Sequence, residues 1–216
     1  MVIKNLSRLL LTAASAVLLS GPGGATPVKE APWLPEAAAY RLTLFLGNLA
    51  PVPWDDIETA WTEPHRGSEF STGALEWVDR KSGIKPDGIL DAMAREDRQA
   101  VFTEATRLVA LRIEEELDRT LAAEEPAKAR QALRTAGELY RAFEDGIAAA
   151  DPEAARRIGL AWLELNSSTG SAGLLGAGAF SADRDTLEAA RAVISSYLAE
   201  NYLLANYAPR QTLSAL

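Results

Sequence analysis

Residues 96–124, EDRQAVFTEATRLVALRIEEELDRTLAAE, decide the fold class. They hold no glycine and no proline. Ala105, Val109, Ile113, Leu117 and Leu121 recur at every fourth position, and Val101 and Leu108 widen the row. An apolar row at that spacing is one stripe of an α-helix. A long helix with one apolar stripe needs other apolar stripes to cover it. The acidic run Glu114, Glu115, Glu116 and Asp118 reads as the solvated face of the same helix.

Toward the carboxyl end the same pattern repeats. Pro126 opens a helix in which Ala129, Ala132, Ala136, Leu139, Phe143 and Ile147 step by three and four. Asp151 followed by Pro152 reads as an N-cap and first helical position. The helix that follows offers Ala155, Ile158, Trp162 and Leu165 on one side. A last helix starts after Ser181, with Leu187, Ala190, Ile194, Tyr197, Asn201 and Leu204 in the apolar register.

Toward the amino end the reading is less regular. Pro35 opens a helix, EAAAYRLTLFLGNL, that ends near Gly47-Asn48; within it, YRLTLFL (40–46) is the one place where a strand could compete. WDDIETAWTE puts Trp54, Ile57 and Trp61 on one face of a short amphipathic piece. PHRGSEFST reads as a loop, GALEWVDR as one or two helical turns, and Pro86-Asp87-Gly88 as the tip of a turn. The expectation is an all-α protein, an antiparallel up-and-down helical bundle with a less regular Trp-containing N-terminal region. Residues 26–216 form its single domain, irregular over 26–90 and built of core helices over 91–208.

Residues 1–25 are expected to be a signal peptide. Lys4 and Arg8 precede the uncharged apolar run Leu9–Leu19, and Gly23 and Ala25 suit a cleavage site. The run is well short of the roughly 20 residues a spanning helix needs. Cleavage after Ala25 would send Thr26–Leu216 to the periplasm, with no transmembrane span left in the mature chain.

Composition then excludes several chemistries. There are no cysteines, so disulfides and thiolate metal sites are ruled out. His65 is the only histidine, which rules out within one chain a three-His zinc site, a two-His facial triad and paired Glu-x-x-His di-iron ligands. With 22 basic against 30 acidic residues the net charge is −8, and loss of Lys4 and Arg8 makes it more negative. That argues against nucleic acid, whose binding relies on Lys and Arg neutralising phosphates. No Gly-x-Ser-x-Gly elbow appears and nothing selects a catalytic carboxylate pair, so the chain is not expected to be an enzyme.

Two features remain as candidates for function. Asp55, Asp56, Glu58, Glu63, His65 and Glu69 form an acidic cluster beside tryptophans; Glu63, His65 and Glu69 are the candidate ligands for a hard metal cation. The stretch LNSSTGSAGLLGAGAF (165–180) lacks the Lys of a phosphate-binding loop and follows a helix rather than a strand. It reads first as a connection in which glycine supplies a helix C-cap, and second as an uncharged docking loop, 170–178, for an envelope protein partner.

The segment ELYRAFEDGIAAADPEAARRIGLAWLEL (138–165) resembles helix hairpins of extracytoplasmic helical proteins of bacterial iron uptake, namely imelysin-like proteins and the soluble domains attached to iron permeases. It shares with them an aromatic-x-x-Phe-Glu run, a short Asp-Pro turn and a regular amphipathic helix. The resemblance implies an all-helical extracytoplasmic protein associated with metal acquisition. The imelysin-type Gly-x-His-x-x-Glu signature is absent, since Glu69 lies one residue too far from His65, and no Arg-Glu-x-x-Glu motif occurs. No functional residue is carried over. The functional expectation is therefore an exported periplasmic helical-bundle binding protein, handling a metal ion or small ligand in iron acquisition; the alternative is a non-enzymatic module docking through 170–178.

Overall fold

The computed structural model describes residues 34–64, 70–82, 87–170 and 182–202. The expected signal segment, His65, Glu69, Leu204 and residues 171–180 of the glycine-rich stretch lie outside them. Among the described residues there are eight helices and no strand: α1 (Pro35–Leu46), α2 (Trp54–Thr62), α3 (Ala74–Ser82), α4 (Asp87–Ala94), α5 (Arg98–Ala122), α6 (Pro126–Ala150), α7 (Pro152–Ser168) and α8 (Arg184–Asn201). The described residues are thus all-helical, and no described helix is long and apolar enough to cross a membrane.

Helices α5 to α8 form an up-and-down four-helix bundle in which each helix packs on the next and α8 returns to α5. The alternation of direction is read from cross-helix contacts. Arg130 near the start of α6 reaches the Gly170 carbonyl just past the end of α7, and in α8 Arg191 pairs with Asp118 of α5 while Ser195, one turn on, reaches Glu114, one turn back. Local chemistry sets the turns. The Asp151 carboxylate accepts from the Ala154 N–H at 2.9 Å, and Asp183 caps α8 through the Thr186 N–H at 3.2 Å. Each such cap contributes about 1 kcal/mol. Gly170, with φ 77°, takes the left-handed conformation that commonly closes a helix, here just past the end of α7.

Helix α5 takes up all of 96–124 but its ends, and a turn not marked in the sequence separates it from α4. Helix α4 ends at Ala94, and Glu96 adopts φ 52°. The Glu96 N–H then donates to the Met93 carbonyl and the Asp97 N–H to the Ala92 carbonyl. That is a Schellman closure, normally built on glycine. Asp97 at once caps α5 by accepting from the Ala100 N–H. One helix stops and another starts with no glycine or proline to mark it. Of the expected turn tip Pro86-Asp87-Gly88, Asp87 and Gly88 belong to α4, and Pro86 lies outside the described residues.

The amino-terminal region is also more helical than expected. YRLTLFL is helix, not strand, within α1. Helix α1 runs antiparallel along α5 and also touches α6, where Tyr40 meets Phe143 edge-on at 5.0 Å. Helix α2 is fastened to α1 by the fully buried Trp61, whose Nε1–H donates to Thr43 Oγ1 at 2.8 Å. Gly73, before α3, sits against the end of α2: an added Cβ would lie 2.2 Å from the Thr62 carbonyl oxygen, so only glycine fits that approach. In α7 and α8 the inward stripes are Ala154, Ile158, Ala161 and Leu165, and Leu187, Ala190, Ile194 and Leu198. Tyr197 and Trp162 flank those stripes rather than form them, and Asn201 is exposed.

Candidate ligand-binding cleft

Burial corrects the expected solvated face of α5. Glu114 and Glu116 are buried, as is Arg112, and Asp118 is paired to Arg191 of α8. The reason is position: α5 is packed by α6, α8, α1, α3 and α4, so little of its circumference is left to water. Charge buried in this way needs partners.

Those partners follow from spacing. Arg112 and Arg119 lie two turns apart on one face of α5, with Glu115 and Glu116 between them at helical-neighbour distances from both. Arg112 donates to Glu115 at 2.7 Å and to Glu116 at 2.9 Å; Arg119 donates to the same two carboxylates at 2.6 and 2.7 Å. Arg119 also donates to the Lys81 carbonyl oxygen, which ties the end of α3 to this ladder. From α1, Glu36 brings a third carboxylate to Arg112 Nε at 3.3 Å. Glu36 is fully buried, and its second oxygen has no hydrogen-bond partner among the described residues. Burial pushes its pKa above the usual carboxylate range, against the pull of Arg112.

On the far side of α5, Ser195 Oγ donates to Glu114 Oε2 at 2.8 Å, and Arg191 approaches the same oxygen at 3.4 Å. Glu114 Oε1 and Arg191 Nε have no hydrogen-bond partner among the described residues. Burial raises this carboxyl too, opposed by Ser195 and Arg191.

The Arg112–Arg119 ladder forms the floor of a cleft of about 530 Å³ between α3, the second half of α5 and the first half of α6. Trp77 and Lys81 face it from α3, and Lys128, Gln131 and Thr135 from α6. Leu34, Ala122, Ala123 and Ala132 supply apolar wall. The Lys81 ammonium stands 4.7 Å from the centre of the Trp77 ring, itself packed edge-on against Phe70. A smaller cavity of about 250 Å³ lies between α1 and α6, bounded by Tyr40, Leu44, Phe143 and Tyr202. It belongs to an aromatic cluster that also holds Tyr140, whose hydroxyl burial pushes up to about 12.

Of the residues expected to hold a metal, Glu63 can be placed. It is exposed, with extended backbone just past the end of α2. His65 and Glu69 lie outside the described residues. Among the described residues no group of three or more His, Asp or Glu side chains is arranged to hold a metal ion. Of the expected docking loop 170–178, Gly170 alone is described, with its carbonyl held by Arg130 at 2.6 Å. The cleft went unnoticed in the sequence because its lining comes from three helices. Its floor was legible, however: Arg112-x-x-Glu115-Glu116-x-x-Arg119 is an intrahelical ion-pair ladder written in one line.

Searched against protein-family models, curated proteins and solved structures, the chain matches none.

Proposed function

We propose that this chain is an exported, non-enzymatic helical-bundle protein that binds a small ligand in the cleft between α3, α5 and α6. The observation that carries the reading is the cleft itself, about 530 Å³, a size suited to a small organic molecule. Its floor is held in place by ion pairs among Arg112, Glu115, Glu116 and Arg119. Binding is favoured over catalysis because Glu116, the one carboxylate lining the cleft among the described residues, is already engaged by two guanidinium groups. Export rests on the Lys4–Ala25 sequence pattern, and an iron-acquisition context on the resemblance of 138–165. A hard metal cation at Glu63, His65 and Glu69 rests on the sequence alone.

The test is thermal melting of the purified protein against a panel of small organic anions, cations and neutral compounds. A ligand that binds the folded state raises the melting temperature with concentration. At least one class should do so. Ala122→Trp, which sets an indole into the cleft from an exposed position, should abolish the rise while leaving the helical circular-dichroism signal intact. Shifts that survive Ala122→Trp unchanged, or no shift with any compound, would sink the proposal.

A further inference from the structure

We infer that the ligand of this cleft is an organic anion: one carboxylate or phosphate group on a planar, mainly apolar body. The inference rests on the cleft's being the binding site. Four cationic side chains line it, Arg112 and Arg119 from the floor, Lys81 from α3 and Lys128 from α6. They arrive from three helices, in a chain whose net charge is −8. The single lining carboxylate is spent, because Glu116 Oε1 accepts from Arg112 at 2.9 Å and from Arg119 at 2.7 Å. Glu36, Glu115 and Glu125 stand outside the lining and, with Glu116, balance the four cations in formal charge, so preference for an anion rests on the two lysine ammonium groups that can turn into the cleft. The attraction is therefore short-ranged and acts on a group inside the cleft, not on anything passing the surface.

The two lysines are free to respond. Lys128 pairs with Glu125 at 2.7 Å, but both side chains are about two-thirds exposed. An ion pair in that setting contributes little and exchanges readily. Lys81 rests over the Trp77 ring, a contact that is also weak at an exposed site. Turning either ammonium toward an entering carboxylate or phosphate loses little and gains a charge-assisted hydrogen bond. Arg119, with its side chain 42% exposed, can offer a further donor.

The body of the ligand is set by the remaining walls. Trp77 presents an indole, and Leu34, Ala122 and Ala132 leave an apolar surface without branching polar groups. A ring system meets the indole, and the alanines leave room for its edge. A cationic ligand would meet the ammonium groups of Lys81 and Lys128, and a neutral one would leave them unused.

Four probes with one common body separate the possibilities: 2-naphthoate, 2-naphthyl phosphate, 2-naphthamide and 2-naphthylmethylammonium, each titrated calorimetrically into the purified protein. At least one acid should bind about tenfold or more tighter than the amide and the ammonium. Naphthoate against naphthyl phosphate distinguishes the carboxylate from the phosphate form. Lys81→Gln and Lys128→Gln, both at exposed positions, should each weaken the anion about three- to tenfold with no change in circular dichroism, and salt should weaken the wild-type affinity. Amide or ammonium binding as tightly as the acids, and lost in Ala122→Trp, would overturn the anionic class while keeping the cleft as a binding site. So would failure of all four probes while a cationic or neutral compound of the thermal panel binds and is blocked by Ala122→Trp. No ligand of any class would take down both readings.

Discussion

Helices α5 and α6 are of equal length, 25 residues each, and lie side by side, yet they obey different rules. Helix α6 behaves as a surface helix should. Ala129, Ala132, Leu133, Ala136, Leu139, Tyr140, Phe143 and Ile147 are buried on one face, and charged side chains such as Arg134, Arg141 and Asp145 take the other. Helix α5 buries apolar and charged residues alike: between Leu108 and Leu117 only Glu115 escapes full burial. The difference teaches that an amphipathic pattern describes how many neighbours a helix needs, not how many it gets. Helix α6 has a free side facing water. Helix α5 is enclosed, and its polar face had to be satisfied by other protein groups.

The comparison breaks most sharply at Arg112. Arg112→Met would strand Glu36 and Glu116 in the interior without their shared cation. Removing one partner of a buried charge group costs about 3–5 kcal/mol, whereas replacing all members by apolar groups can be neutral. Urea unfolding should show a loss of that size, part of it recovered in Arg112→Met/Glu36→Gln. A loss under about 1 kcal/mol, within the range of an exposed ion pair, would mean that α5 is as free of its neighbours as α6.

A second difference is its response to pH. Burial is the first cause that raises both Glu36 and Glu114 above their ordinary value of 4.5. Between that ordinary value and the raised one, the folded chain holds protons that the unfolded chain has released. Stability from these two groups is therefore complete below about pH 4.5 and is lost as pH rises through their folded values. Against a Glu36→Gln/Glu114→Gln double variant, the wild type should gain urea resistance as pH is lowered from neutrality toward 4.5. A difference that is flat with pH, or that grows toward alkaline pH, would show both carboxyls to be held ionised.

The smallest effect sharpens the comparison from the α6 side. Gly146 is exposed in the last turns of α6, and a Cβ added there would meet nothing within 4 Å. Gly146→Ala should therefore stabilise the protein by about 0.5–1 kcal/mol through helix propensity and reduced freedom of the unfolded chain. Thermal melting measures it directly. No gain, or a loss, would mean that Gly146 makes an approach that its surroundings do not explain.

How far the fold was legible follows from the same contrast. The α6 stripe, the Asp151-Pro152 junction and Pro35 opening α1 are local signals, carried by side-chain spacing and by residues that shape their own backbone. They were readable because nothing distant is needed to make them true. The junction at Glu96 was not, because a Schellman turn built on glutamate leaves no compositional mark; the cost of its left-handed backbone is met by the hydrogen bonds that close α4 and open α5. The candidate site divides in the same way. The Arg112–Glu115–Glu116–Arg119 ladder is a helix-periodic pattern within one segment. Lys81, Lys128 and Trp77 belong with it only because α3 and α6 are brought alongside.

The sequence by itself determined that this chain forms helices, where most of them begin, and which apolar residues they turn inward, since propensity, capping and periodicity act over a few residues. Tertiary structure alone decided that Glu36, Arg112, Glu114 and Glu116 would leave water and that a cleft would open beside Arg112 and Glu116. Burial is a property of how many elements surround a residue, and that number is set by contacts between segments far apart in the chain.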